Sequence, residues 1–68
     1  MEIPIKVKIF SKTTKVKVKK GSTIEDLIRK MGFNTETMVA KLNGKIVTED
    51  TEIQANDEII LIRVITGG

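Results

Sequence analysis

Apolar and polar residues alternate over most of the first twenty positions of the chain. Between residues 3 and 9 every odd position is Ile or Val, and between residues 15 and 19 valines alternate with lysines. A period of two is typical of a β-strand with one buried face. The polar cluster Ser11–Thr14 predicts the turn that joins the two strands. The chain is therefore predicted to begin with a β-hairpin that has Ile and Val inward and lysines outward.

The pattern becomes helical after residue 21. Four apolar residues recur at the i, i+3, i+4 and i+7 spacing of one helix face: Ile24, Leu27, Ile28 and Met31. Ser22 is predicted to be the N-cap, with Glu25 completing a capping box three residues later. Gly32 is predicted to end the helix in the left-handed conformation, with Phe33 folding back onto Ile28.

A second hairpin follows the helix. Residues 38–42 and 45–47 read as strands on either side of Asn43-Gly44, the dipeptide most favoured in a tight two-residue hairpin turn. Residues 48–57 are acidic and rich in turn formers, and Ile53 and Ala55 are the expected inward anchors of this segment.

The last strand is predicted from the nearly continuous apolar run at residues 59–65. Such a run is typical of a strand that is buried on both faces, so we expect it in the middle of the sheet. One helix covers only one face, which predicts two layers: an α+β protein in which a mixed sheet of four to five strands packs on one helix. With the first and last strands parallel at the centre, this arrangement is the β-grasp fold.

The composition limits the chemistry that the chain performs by itself. The 68 residues suffice for one domain and include no Cys and no His. A thiolate metal site and a cysteine nucleophile are excluded, and the usual general base at neutral pH is missing. We expect a protein that is not an enzyme and holds no metal or cofactor. No apolar run is long enough to span a membrane or to act as a secretory signal, so we also expect a soluble, cytoplasmic protein with no membrane partner.

The net charge of +3 is unevenly distributed. Residues 1–20 contain seven Lys and one Glu. Alternation places most of these lysines on one face of the first hairpin, where they form a solvated surface and block edge-to-edge pairing of strands. A nucleic-acid surface is the alternative, but with two Phe and no Tyr or Trp there is little for bases to stack on. We therefore expect no nucleic-acid partner.

The sequence ends in Thr66-Gly67-Gly68, beyond the last predicted strand. Two terminal glycines taken alone are typical of a frayed terminus. A carboxylate that is threaded into the active site of another protein has a specific use for them, because a tail without Cβ atoms is narrow and free in φ and ψ. We expect residues 1–65 to form a single domain and residues 66–68 to be a flexible tail.

Three runs of residues resemble the ubiquitin-like sulfur carriers. This family includes ThiS of thiamine biosynthesis, MoaD of molybdopterin biosynthesis and the archaeal small modifier proteins. The runs are VAKLNGKIV at 39–47, NDEI at 56–59 and RVITGG at 63–68. The resemblance covers the whole chain in order, and the short tail is most similar to ThiS and to the shorter archaeal modifiers.

The resemblance implies that Gly67 and Gly68 are the site of activation. An E1-like enzyme that binds ATP and Mg would adenylate the carboxylate of Gly68. The product would become a thiocarboxylate, the sulfur donor for thiamine, molybdopterin or tRNA thiolation, or would be joined to lysines by an isopeptide bond. The implied partners are this enzyme, a sulfur-accepting synthase and lysine-bearing target proteins, and the chain itself is expected to be a monomer.

The phase of the last strand decides which side chains the partner meets. If Ile59 and Leu61 face the core, Ile60 and Ile62 face outward; the reverse phase is equally compatible with the periodicity, and the resemblance favours the first. The expected docking surface for the E1-like enzyme is the strip beside the tail: Ile60, Ile62, Arg63, Val64, Ile65 and Thr66. The alternative function is a β-grasp interaction module that binds a protein or RNA and never uses its terminus.

Overall fold

Five strands form one mixed sheet that packs its inner face on a single helix. The computed structural model describes residues 1–64. The elements are β1 (Glu2–Ile9), β2 (Lys12–Lys19), α1 (Ile24–Lys30), a short 3-10 helix (Thr35–Thr37), β3 (Met38–Leu42), β4 (Lys45–Val47) and β5 (Glu58–Arg63). The strand order is β2-β1-β5-β3-β4, with β1 and β5 parallel and the other pairs antiparallel. The predicted β-grasp fold and the central position of the last strand are confirmed.

The turn of the first hairpin lies earlier than the sequence predicted. Ile9 pairs with Lys12, so the loop is the two residues Phe10 and Ser11, and β2 already begins at Lys12. Both loop residues have positive φ, 49° and 66°, as a primed two-residue turn requires. The predicted turn at Ser11–Thr14 is wrong. A two-residue turn with positive φ matches the twist of the two strands, and this geometry, not the polarity of the residues, determines where the chain turns.

The helix begins one residue later than predicted. Thr23 is the N-cap: its hydroxyl accepts from the Asp26 N–H at 3.3 Å, and its own N–H donates to the Asp26 carboxylate at 3.0 Å. The Ser22–Glu25 pair has the same spacing but is not used. Instead, the carbonyl of Ser22 accepts from Ile53 N–H at 2.8 Å, which ties Ser22 to the loop before β5.

The helix ends as the sequence predicted. Gly32 has a φ of 84°, and its N–H donates to the carbonyl of Arg29 at 3.0 Å. The N–H of Phe33 donates to the carbonyl of Ile28, also at 3.0 Å. These two bonds are the Schellman motif and satisfy carbonyls that the helix leaves unpaired.

The core lies between the helix and the inner face of the sheet. Eleven apolar side chains are buried there: Ile5, Val7, Val18, Ile24, Leu27, Ile28, Met38, Ala40, Ile53, Ile59 and Leu61. The phase of β5 is thereby fixed, with Ile59 and Leu61 inward. Ile53 is the anchor that the sequence predicted, whereas the prediction for Ala55 is wrong. Ala55 is exposed in the turn before β5, so its side chain does not pack in the core.

A hydrogen-bonded node fixes the start of β5 against the second hairpin. Asn43 and Gly44 form the turn of the second hairpin, with φ of 51° and 89°. The side-chain amide of Asn43 donates to the Asp57 carboxylate at 3.1 Å, and its side-chain oxygen accepts from Glu58 N–H at 3.0 Å. The same carboxylate accepts from Gln54 N–H at 2.8 Å. Asp57 is buried by these contacts and organises the turn that leads into β5.

Candidate functional site

An apolar strip runs along the outer side of β5. The helix covers only the inner face, so the side chains that alternate with Ile59 and Leu61 face away from it. Ile60 is half-buried, while Ile62 and Val64 are 40% and 38% exposed. Large apolar side chains at this exposure on a central strand are typical of a surface that another molecule covers.

Arg63 is exposed, but along β5 it has the inward phase of Ile59 and Leu61 and not the outward phase of Ile60 and Ile62. It pairs with Met38, whose side chain is buried, and it is exposed because β5 ends there. Arg63 nevertheless lines the same shallow depression of about 540 Å³ as Ile60 and Ile62. The structure therefore brings together three residues of the predicted strip, Ile60, Ile62 and Arg63, and Val64 directly follows them in the chain. The predicted site residues Ile65, Thr66, Gly67 and Gly68 lie outside the described residues.

Two further apolar residues on this face were not predicted as site residues. Val39 of β3 lies opposite Ile62 and is half-buried, and Ile46 of β4 is 70% exposed. The signal that could have found them is the alternation within the second hairpin. Met38 and Ala40 face the core, so Val39 faces outward with the β5 strip.

Phe10 is the third residue that was not predicted as a site residue, and it lies at the same end of the sheet as the last residues of β5. Because β1 and β5 are parallel, their carboxyl ends lie at the same end of the sheet, and Phe10 directly follows β1. Its side chain is 62% exposed and contacts Phe33 edge-to-face, with ring centroids 6.4 Å apart. A bulky residue with φ of 49° costs roughly 1–2 kcal/mol, so Phe10 occupies a conformation that its own backbone disfavours.

Basic residues border the apolar strip. In the register of the sheet, Ile60 lies between Lys8 of β1 and Lys41 of β3. Arg63 adds a third cation toward the end of β5. The surface thus has an apolar centre with a positive rim, and long basic side chains extend such a surface because their methylene stems are apolar.

The described part of the chain provides a candidate binding surface and no cluster of metal-ligating side chains. Within residues 1–64 there is no group of three or more metal-ligating side chains. The same segment has no helix that is long and apolar enough to cross a membrane. What the arrangement can do chemically is hold a partner by an apolar contact close to the point where the chain leaves the sheet.

This fold and surface define a ubiquitin-like β-grasp protein. The ThiS family model matches residues 5–68, and the chain therefore belongs to the ThiS family. The match includes all of β5 and continues through the two terminal glycines. At the level of the family, membership supports a sulfur carrier or protein modifier that acts with E1-like partners and synthase subunits. Small carriers of this type are generally not enzymes themselves.

Solved structures of low sequence identity share the fold. Small archaeal modifier protein 1 of Haloferax volcanii is 17% identical with a TM-score of 0.74, over 93% of this chain and 99% of that chain. A putative molybdopterin converting factor subunit 1 from Pyrococcus furiosus is 17% identical with a TM-score of 0.75, over 93% and 99% of the two chains. Caldiarchaeum subterraneum ubiquitin is 14% identical with a TM-score of 0.72 over both whole chains.

Proposed function

We propose that this protein is a sulfur carrier or protein modifier that is activated at the carboxylate of Gly68. An E1-like enzyme that binds ATP and Mg adenylates this carboxylate. The adenylate is then converted to a thiocarboxylate, joined to lysines of target proteins, or used in both ways. A thiocarboxylate formed in this way would serve as the sulfur donor for thiamine, molybdopterin or tRNA thiolation.

The observation that carries this proposal is the extent of the family match. It runs from β1 to Gly68 and so includes the Gly67-Gly68 end. Glycine suits a segment that must pass through a narrow channel, because it has no Cβ and adopts φ and ψ values that other residues avoid. We take residues 1–65 as the domain that the enzyme grips and residues 66–68 as the tail that enters its active site.

The chemistry requires the partner to supply what this chain lacks. An oxygen of the Gly68 carboxylate attacks the α-phosphorus of ATP, and pyrophosphate leaves. The mixed anhydride is a far better electrophile than the carboxylate. Attack by a sulfide equivalent then gives the thiocarboxylate, AMP and a proton, whereas attack by a lysine amine gives the isopeptide, AMP and a proton. The chain has no Cys and no His, so any catalytic thiol and the nucleotide site belong to the enzyme.

The E1-like enzyme is proposed to dock on the strip Ile60, Ile62, Arg63, Val64, Ile65 and Thr66. Support comes from the exposed apolar side chains of Ile62, on β5, and of Val64, which directly follows β5. Residues 65–68 extend no more than about 14 Å beyond Val64, because a fully extended chain advances at most about 3.6 Å per residue. A contact on the strip therefore holds the Gly68 carboxylate within a short reach of the bound nucleotide.

Intact-mass spectrometry of the protein isolated from its native host tests the proposal. We expect a fraction of the chain to carry the mass change of one oxygen replaced by sulfur. Alternatively, digests of host proteins should contain lysines with a Gly-Gly remnant traceable to this chain. Protein that is always unmodified, in a host whose peptides contain no such remnant, would support the β-grasp interaction module instead.

A further inference from the structure

The outer face of the first hairpin is covered by lysines. On β1 these residues alternate with the buried Ile5 and Val7, and on β2 they alternate with Val16 and Val18. We call this surface the lysine face and define it by Lys6, Lys8, Lys15, Lys17 and Lys19. All five side chains are exposed, and they form two adjacent rows.

Protection of a sheet edge explains only one of the two rows. β2 is an edge strand, and lysines there block the addition of a further strand. β1 is an internal strand that is hydrogen-bonded to β2 on one side and to β5 on the other. Lys6 and Lys8 therefore protect no edge. The solvated outer face of the sheet requires polar side chains at these positions, but it does not require lysine at both.

The register places like charges against one another. Lys6 lies directly opposite Lys15, an arrangement that destabilises an antiparallel pair. Glu58 is the neighbour of Lys6 on the β5 side, yet it forms no ion pair with it. Among residues 1–64 the one ion pair joins Arg29 to Glu25 on the helix, which packs on the opposite, inner face of the sheet. The lysine face thus carries more positive than negative charge, because only two carboxylates lie beside its five lysines in the register, Glu58 next to Lys6 and Glu2 opposite Lys19.

The composition of this face selects the class of partner. Protein interfaces are enriched in aromatic residues and depleted of lysine. The lysine face itself carries no aromatic side chain, and its apolar neighbours in the register are Pro4 opposite Lys17 and Ile60 beside Lys8. Lysines without aromatic residues recognise phosphates and not stacked bases. Successive lysines of a row are about 6.7 Å apart, two strand residues, and the rows are about 4.8 Å apart. Such a regular array is suited to a repeating anion.

We propose that the lysine face binds the phosphodiester backbone of a nucleic-acid duplex, independently of base sequence. This differs from the expectation drawn from the composition, which considered base stacking and not contacts to phosphates. Lys6 and Lys15 are central to it, and they line a shallow depression of about 270 Å³ together with Pro4, Ile5, Asn56 and Glu58. This surface lies on the first hairpin, and Lys8 is the one residue that it shares with the rim of the apolar strip. The proposal stands whether or not the terminus is activated.

Fluorescence anisotropy with labelled duplexes of about 20 base pairs tests the proposal, since a small double-stranded RNA-binding domain covers about 16. Binding of an RNA and a DNA duplex is measured over a series of salt concentrations. We expect log K to fall linearly with log salt, with a slope no steeper than about −4.5 for five lysines. The RNA and DNA arms show which duplex form is bound more tightly.

Two double variants with the same charge change separate a site from general attraction. Lys6→Gln with Lys15→Gln removes the central pair, and we expect the slope to become shallower by about 2, since each lysine neutralises about one phosphate. The control is Lys12→Gln with Lys45→Gln. Both lysines are exposed but lie outside the lysine face, because their register partners, Ile9 and Leu42, face the core. The control should bind as the wild type does. The first variant should also melt at a higher temperature in low salt, because a repulsion is relieved.

Three results would overturn the proposal. Equal weakening by both double variants would mean attraction by net charge alone. Binding of poly-glutamate as tight as that of the duplexes would make an acidic polypeptide the better partner. A lower melting temperature for Lys6→Gln with Lys15→Gln would show that these lysines are held for the stability of the hairpin.

Discussion

Two neighbouring residues of β5 should respond in opposite ways to the same substitution. Leu61 faces the core and is 3% exposed, whereas Ile62 faces outward and is 40% exposed. We predict that Leu61→Asp unfolds the domain. Ile62→Asp should leave it folded and weaken activation by the E1-like enzyme.

The burial of Leu61 sets the size of the first effect. Truncating a buried Leu to Ala typically costs 2–5 kcal/mol, and a buried carboxylate without a partner adds to that cost. A chain of this length has a total stability of about 3–10 kcal/mol. Leu61→Asp therefore removes most or all of the free energy that holds the fold.

The exposure of Ile62 sets the second effect. Full burial of an Ile side chain contributes about 1.5–3 kcal/mol, and Ile62 is little more than half covered, so Asp costs about 1–2 kcal/mol. The melting temperature should fall by roughly 5–15 °C, and the fold should remain. An apolar anchor at the centre of an interface carries about 1–4 kcal/mol, so affinity for the enzyme should fall by at least about fivefold.

Circular dichroism and ATP–pyrophosphate exchange measure the two effects separately. Ile46→Asp is the matched control, because Ile46 is also exposed on the outer face but lies two strands away on β4. It adds the same charge and should leave exchange unchanged. Full exchange activity with folded Ile62→Asp would show that the E1-like enzyme does not dock on the strip. Loss of exchange with both Ile62→Asp and Ile46→Asp would point to charge and not to a local contact.

Three further predictions concern stability and are checked by thermal or urea unfolding. Gly32→Ala should cost about 1–2 kcal/mol from its left-handed φ of 84° alone, because nothing lies within 4 Å of an added Cβ; an unchanged midpoint would contradict this. Thr23→Ala should cost about 1 kcal/mol, and Ser22→Ala distinctly less, because Thr23 is the N-cap. Asp57→Ala should cost about 1–3 kcal/mol, since the Gln54 N–H and the Asn43 amide would be left without an acceptor.

Most of the fold could be predicted because local and long-range signals agree. The bounds of β3 and β4 follow from Asn43-Gly44, which fixes a two-residue turn and hence the register on both sides. The end of α1 follows from Gly32. The central position of β5 follows from its apolar run, and its phase required the structure, since alternation cannot choose between faces when both are apolar.

The predicted N-cap and the first predicted turn were wrong at places where neighbouring residues have similar local preferences. Ser22 and Thr23 are each followed by an acid three residues later, and pairing of Ser22 with the segment before β5 decides between them. The turn at Phe10 was missed because a bulky aromatic residue is disfavoured at positive φ, so no propensity points to it. The apolar strip was found from sequence in part, because β5 alone shows it. Val39 joins it only through the order of the strands, as the register partner of Ile62.

The proposed function depends on chemical activation of the carboxyl end of this chain. The most direct test is ATP–pyrophosphate exchange with the host's E1-like enzyme, using the intact chain and a chain that lacks Gly67 and Gly68. We expect the two forms to have the same circular dichroism and melting temperature, because the removed residues follow the last strand. Exchange should be stimulated by the intact chain alone. Undiminished exchange with the shortened chain would contradict the account.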